Sequence, residues 1–98
     1  MKRHGFVAKL KSEYRDEYIS SHGRVPAELL ARYRQAGLRN ISIFLHGDFL
    51  FLYLESDDLA KASAALENDP VELEWQSYTS PMLGAGGYQE GAQVFHTD

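Results

Sequence analysis

The chain switches repeatedly between two hydrophobic periods, and the switches mark its elements. Phe6, Ala8 and Leu10 alternate with Val7 and Lys9, the two-residue period of a half-buried strand. Ser12 then offers a hydroxyl N-cap, and from Glu13 to Ser21 a charged helical stretch carries Tyr14, Tyr18 and His22 at intervals of four. That interval stacks the three rings along one helix face. Gly23 stops this helix. Val25-Pro26 opens a second, with proline at a first helical position where its missing N–H costs nothing. Leu29, Leu30, Tyr33 and Ala36 give it a buried stripe, and Gly37 supplies the left-handed stop.

Two strands follow, Ile41 to Leu45 and Phe49 to Glu55, joined by His46-Gly47-Asp48, a residue set suited to a short hairpin loop. In the second strand Leu50, Leu52 and Leu54 take one face while Phe51, Tyr53 and Glu55 take the other, so the sheet is expected to be covered on both sides. Ser56-Asp57-Asp58 caps a helix with the stripe Leu59, Ala62 and Leu66, and Asn68-Asp69-Pro70 ends it. Val71 to Tyr78 predicts a short helix with Val71, Trp75 and Tyr78 on one face. Leu83 to Gly91 reads as a flexible or partner-draped loop, and Gln93 to His96 as a last strand. Strand, one or two helices, strand, strand, helix, strand is the order of a split β-α-β, ferredoxin-like α+β sheet with helices on one face. The other face, with Phe51 and Tyr53, is too apolar to stay wet, which points to two sheets packing into a homodimer.

Composition narrows the function classes. At 98 residues, 44% hydrophobic and 24% charged, residues 1–98 form a single soluble domain, which excludes a two-domain enzyme. So short a chain buries a modest share of its surface, and an enclosed pocket draws on subunit association. Ten Lys and Arg against 14 Asp and Glu leave a net charge of −4, which argues against nucleic-acid and membrane partners. The absence of cysteine rules out disulfide frameworks, thiolate nucleophiles and cysteine-ligated metal sites. Met1-Lys2-Arg3-His4 runs straight into a strand-like stretch with no apolar signal core, so a cytoplasmic protein is expected.

Several residues can carry chemistry. His22 titrates near neutrality and lies one helical turn from Tyr18, which makes it a candidate acid or base; a solvated histidine at a helix C-terminus is the plainer reading. Trp75 is either a platform for the C–H face of a sugar ring or core filler. Glu55 is either a site residue or an ordinary edge carboxylate. His4, His46 and His96 lack metal-ligand spacing, and no metal is expected. The Gly84 to Gly91 patch lacks the Lys-Ser/Thr of a phosphate loop, and neither paired glycosidase carboxylates nor a G-x-S-x-G elbow is present.

Taken in order, Tyr18-x-x-x-His22 with Val25 and Glu28-Leu29, Asn40-Ile41-Ser42-Ile43-Phe44-Leu45, Leu50-Phe51 with Tyr53 and Glu55, Asp69-Pro70 five residues before Trp75, and Val94-Phe95-His96 resemble the L-rhamnose mutarotase family over almost the whole chain. The resemblance implies a dimeric α+β barrel and a cofactor-free isomerase that interconverts the anomers of a 6-deoxy sugar, L-rhamnose. By it His22 is the general acid, Tyr18 binds the sugar and shares the proton work, and Trp75 contacts the ring. The sugar wall also includes Ile41 and Gln76, where the family usually has tyrosine and a second tryptophan; Pro26-Ala27 stands where it usually has Trp-Pro. Losing a phenol at Ile41 removes a hydrogen-bonding group, and Gln76 exchanges a stacking surface for an amide. L-fucose or another aldose is therefore the alternative substrate. A cofactor-free barrel that binds a small apolar compound, or a non-catalytic sugar-binding relative, is the alternative of another class.

Overall fold

A computed structural model describes all 98 residues. In chain order it contains β1 (Lys2–Lys9), α1 (Arg15–His22), α2 (Ala27–Gln35), β2 (Arg39–His46), β3 (Phe49–Ser56), α3 (Leu59–Leu66), α4 (Pro70–Thr79) and β4 (Gln89–Gly91). The sheet runs β2-β3-β1-β4 with every neighbour antiparallel. This is the ferredoxin-like arrangement anticipated from the element order. Strand β1 reaches back to Lys2 because all eight of its residues pair with β3, from Lys2 opposite Ser56 to Lys9 opposite Phe49.

Ala8, Leu50 and Leu54 project to the helix-covered side and are buried. Ala8, Leu10, Tyr18, Leu50 and Met82 form one core cluster; Leu38, Leu54 and Ala62 form a second, with Phe6, Tyr33 and Leu52 packed on it. The opposite face carries Val7, Phe44, Phe49 and Phe51, which remain open in the single chain, Phe44 at 64% exposure. The expected cover on that face is thus not supplied by the chain's own helices. No helix is long and apolar enough to cross a membrane.

Three local expectations are corrected. Ser12 does not cap α1: residues Ser12–Tyr14 form a 3-10 turn, and α1 starts at Arg15 without a side-chain cap. The chain bends there because Leu10 bridges to Leu83 and Lys11 N–H donates to the Met82 carbonyl, tying the entry to the far end of the molecule. Pro26 sits just before α2 in an extended conformation, not in its first turn. The last strand is Gln89–Gly91, inside the supposed loop, whereas Gln93–His96 is irregular and Val94 and Phe95 are exposed. Gly86 and Gly87, both at positive φ, turn the chain back so that Gln89 and Gly91 pair with Val7 and Gly5. The apolar pair Val94-Phe95 mimicked a strand but has no neighbour to pair with.

Candidate active site

The site grows from the four-residue interval on α1. Tyr18 and His22 stack with ring centroids 3.9 Å apart and planes 20° from parallel. His22 Nδ1 lies 2.8 Å from the Tyr18 carbonyl oxygen, which can only accept, so Nδ1–H is the donor. Ser21 Oγ donates to the same carbonyl at 2.9 Å and lies 3.2 Å from the ring nitrogen. These bonds fix the imidazole and leave Nε2 as its free nitrogen. Burial pushes the His22 pKa below its ordinary value, and the carbonyl bond opposes that shift only in part. The resting imidazole is neutral near pH 7, with a lone pair on Nε2.

Tyr18 is buried, and its hydroxyl lies 2.7 Å from that of Tyr88. Burial raises the Tyr18 pKa, so the phenol keeps its proton and serves as a hydrogen-bonding group. Tyr88 arrives through the Gly86-Gly87 turn. Trp75 comes from α4, whose start is set by Asp69: its Oδ1 accepts from Val71 N–H at 2.9 Å and Glu72 N–H at 3.3 Å, with Pro70 in the first turn. The indole meets His22 edge-on at 5.3 Å between centroids. Gln76 follows on α4, and Ile41 enters from β2 just after Asn40, which adopts φ +53° at an irregularity in the β2–β3 register.

Together these residues line a cavity of about 850 Å³ between the sheet and the helices. Sixteen of its 24 lining residues are hydrophobic, the mixture expected of a pocket that stacks a small ring and orients it with a few polar groups. All five residues anticipated from the sequence, Tyr18, His22, Ile41, Trp75 and Gln76, reach it. Glu55 does not: on the open sheet face it accepts from Tyr53 and Asn40. Glu72, Tyr33 and Tyr88 are among the lining residues that were not anticipated as part of the site. Glu72, only 6% exposed, accepts from the Tyr33 hydroxyl at 3.0 Å, and Tyr88 closes on Tyr18. Glu72 precedes Trp75 by three positions, a spacing that shares a helix face and was available as a signal. Tyr88 had none, since it lies in a glycine-rich stretch without periodicity.

Comparison with known proteins identifies the family and the fold. The family model described as L-rhamnose mutarotase matches residues 3–97. A protein named L-rhamnose mutarotase from Ligilactobacillus salivarius is 32% identical over 106 residues, covering 98% of this chain and 97% of its own length. Another of that name from Oceanobacillus iheyensis is 30% identical over 105 residues and is matched along the full length of both chains. Among solved structures, an L-rhamnose mutarotase from Formosa agariphila superposes with a TM-score of 0.86 at 18% identity over the whole of both chains. Tetracenomycin F2 cyclase from Streptomyces glaucescens, a type-II polyketide cyclase, gives 0.69 at 18% identity, covering 99% of this chain and 96% of its own. A dimeric ferredoxin-like protein from an uncultured marine organism gives 0.67 at 15% identity, covering 98% and 96%. At these identities the structures attest the fold.

Proposed function

The chain belongs to the L-rhamnose mutarotase family, and from that premise we propose that it is an aldose mutarotase interconverting the α and β anomers of a 6-deoxy sugar, L-rhamnose. It is an isomerase acting on carbohydrates. The observation that carries the assignment to this chain's own residues is the stacked Tyr18–His22 pair, with one imidazole nitrogen free, on a cavity walled by a single indole.

Anomer exchange requires the proton of the anomeric hydroxyl to leave and the ring oxygen to be protonated. Both oxygens are bonded to the anomeric carbon, so one imidazole serves both. Neutral His22 takes the hydroxyl proton on Nε2 and then, as general acid, delivers it to the ring oxygen. The bond from the anomeric carbon to the ring oxygen breaks as the carbonyl forms. Rotation of the open aldehyde and the reverse transfers close the ring on the other face. Tyr18 holds a sugar oxygen with its neutral phenol, Trp75 packs against the C–H face, Gln76 supplies an amide and Ile41 an aliphatic wall. The acceleration comes from orientation and proton transfer, without a covalent intermediate.

The same reading includes a homodimer. Val7, Phe44, Phe49 and Phe51 form an apolar surface on the open side of the sheet, and a second copy of that sheet is its natural cover. A dimeric ferredoxin-like protein among the structural relatives lends the proposal support.

Saturation-transfer NMR at anomeric equilibrium tests the activity directly, with L-rhamnose, L-fucose and other aldoses as substrates. Exchange of L-rhamnose is expected to accelerate with wild-type protein, and His22→Ala is expected to lower the rate by about 10² or more. Failure to accelerate exchange of any sugar overturns the assignment.

A further inference from the structure

Glu72 is the one carboxylate lining the cavity, and it is nearly inaccessible to bulk solvent. Burying a carboxylate is costly, and joining two helices does not require it. The α2–α4 contact already has a fastening outside the cavity, where Arg32 reaches Asp69 at 3.2 Å. Inside, Tyr33 from α2 donates to one Glu72 oxygen at 3.0 Å, and the Gln76 amide stands by the same carboxylate. Two carboxylate oxygens accept about four hydrogen bonds, so the group retains accepting capacity toward the cavity.

Several other polar groups of the pocket already hold one partner each. Tyr18 and Tyr88 are bonded to each other, and His22 spends Nδ1 on the backbone. Ile41 contributes no hydrogen bond from its side chain. A monosaccharide carries hydroxyls around the ring, and a pocket that is mostly apolar must meet those away from the reacting carbon with a few strong acceptors. Glu72 is placed for this. It lies one turn, about 5.4 Å along the axis, toward the N-terminus of α4 from Trp75 and Gln76, while His22 meets Trp75 itself.

We propose that Glu72 determines sugar specificity, its carboxylate accepting a hydrogen bond from a ring hydroxyl away from the anomeric carbon, with Tyr33 as the residue that positions it. The inference rests on the mutarotase reading of the cavity and adds a hydroxyl-binding subsite to it. A site built to bond a hydroxyl discriminates strongly against an analogue that lacks it, whereas a helix-packing carboxylate weakens all ligands alike.

Trp75 is the only tryptophan, so its fluorescence reports occupancy of the cavity. Titrations of wild type, Glu72→Gln and Tyr33→Phe with L-rhamnose and its 2-, 3- and 4-deoxy analogues separate the cases. For L-rhamnose the dissociation constant is expected to rise about tenfold or more in Glu72→Gln and by less in Tyr33→Phe; one analogue should bind wild type and Glu72→Gln equally. Uniform weakening across L-rhamnose and every analogue, or unchanged L-rhamnose binding, overturns the proposal. Anomer exchange on the same samples keeps the two readings apart. A protein that shows the Glu72-dependent discrimination without faster exchange retains the subsite and loses the mutarotase assignment. One that speeds exchange without the discrimination retains the assignment and loses the subsite.

Discussion

At the scale of single residues, His22 gains its proposed role from two opposed effects. Burial disfavours the imidazolium, and the Tyr18 carbonyl favours it, with burial the larger. If the neutral form starts the proton transfer, exchange is level from neutral to alkaline pH and falls on the acid side, at a pH lower than an ordinary imidazole would give, as Nε2 becomes protonated. Exchange rates between about pH 5 and 8 are expected to show this limb in wild type. His22→Ala should lack it. Glu72 also titrates above the usual carboxylate range, because burial outweighs its bonds to Tyr33 and Gln76. A limb that persists in Glu72→Gln therefore belongs to His22, and one that vanishes there removes His22 from the proton transfer. The Tyr18–His22 pair was legible in the sequence because an interval of four needs only a helix to become a contact. The Tyr18–Tyr88 and Tyr33–Glu72 pairs span 70 and 39 positions, and no local pattern records them.

At the scale of elements, α4 shows how a capping residue supports a site. Asp69 accepts from two backbone N–H groups and pairs with Arg32, so it fixes both where α4 begins and how it lies against α2. Asp69→Ala is expected to lower stability by about 1–2 kcal/mol in urea denaturation. Because Trp75 rides on the same helix, its response to L-rhamnose should weaken as well; unchanged stability would show that Pro70 alone sets the start. The hairpin β2–β3 and helices α2, α3 and α4 were readable because their periodicities and stop signals agree. Strand β4 was not. Its three residues, Gln89, Glu90 and Gly91, carry no alternation of apolar side chains, and only the edge of β1 selects them.

At the scale of the whole molecule, the sheet is covered by helices on one side only. Phe44 and Phe51 lie opposite each other across β2 and β3 on the uncovered side, and Val7 adjoins Phe51 across β3 and β1. A charge placed among them, as in Phe44→Asp, is expected to leave the helix-side core intact and to convert the proposed dimer into monomers in sedimentation equilibrium. Identical molecular masses for wild type and variant would place the dimer contact elsewhere or remove it.

The sequence by itself determined the element order and the ferredoxin-like class, and it singled out Tyr18, His22 and Trp75, while Ile41 and Gln76 came from the family resemblance. Hydrophobic period, caps and the Tyr18-to-His22 interval act over a few positions, and a chain read in order retains them. Only the tertiary structure decided that Glu72 is buried against Tyr33, that Tyr88 meets Tyr18, and that β4 precedes the Val94-Phe95 pair. Those outcomes depend on which distant segments share a cavity or an edge. A carboxylate in an amphipathic helix and a tyrosine in a glycine-rich stretch look solvent-facing until packing encloses them.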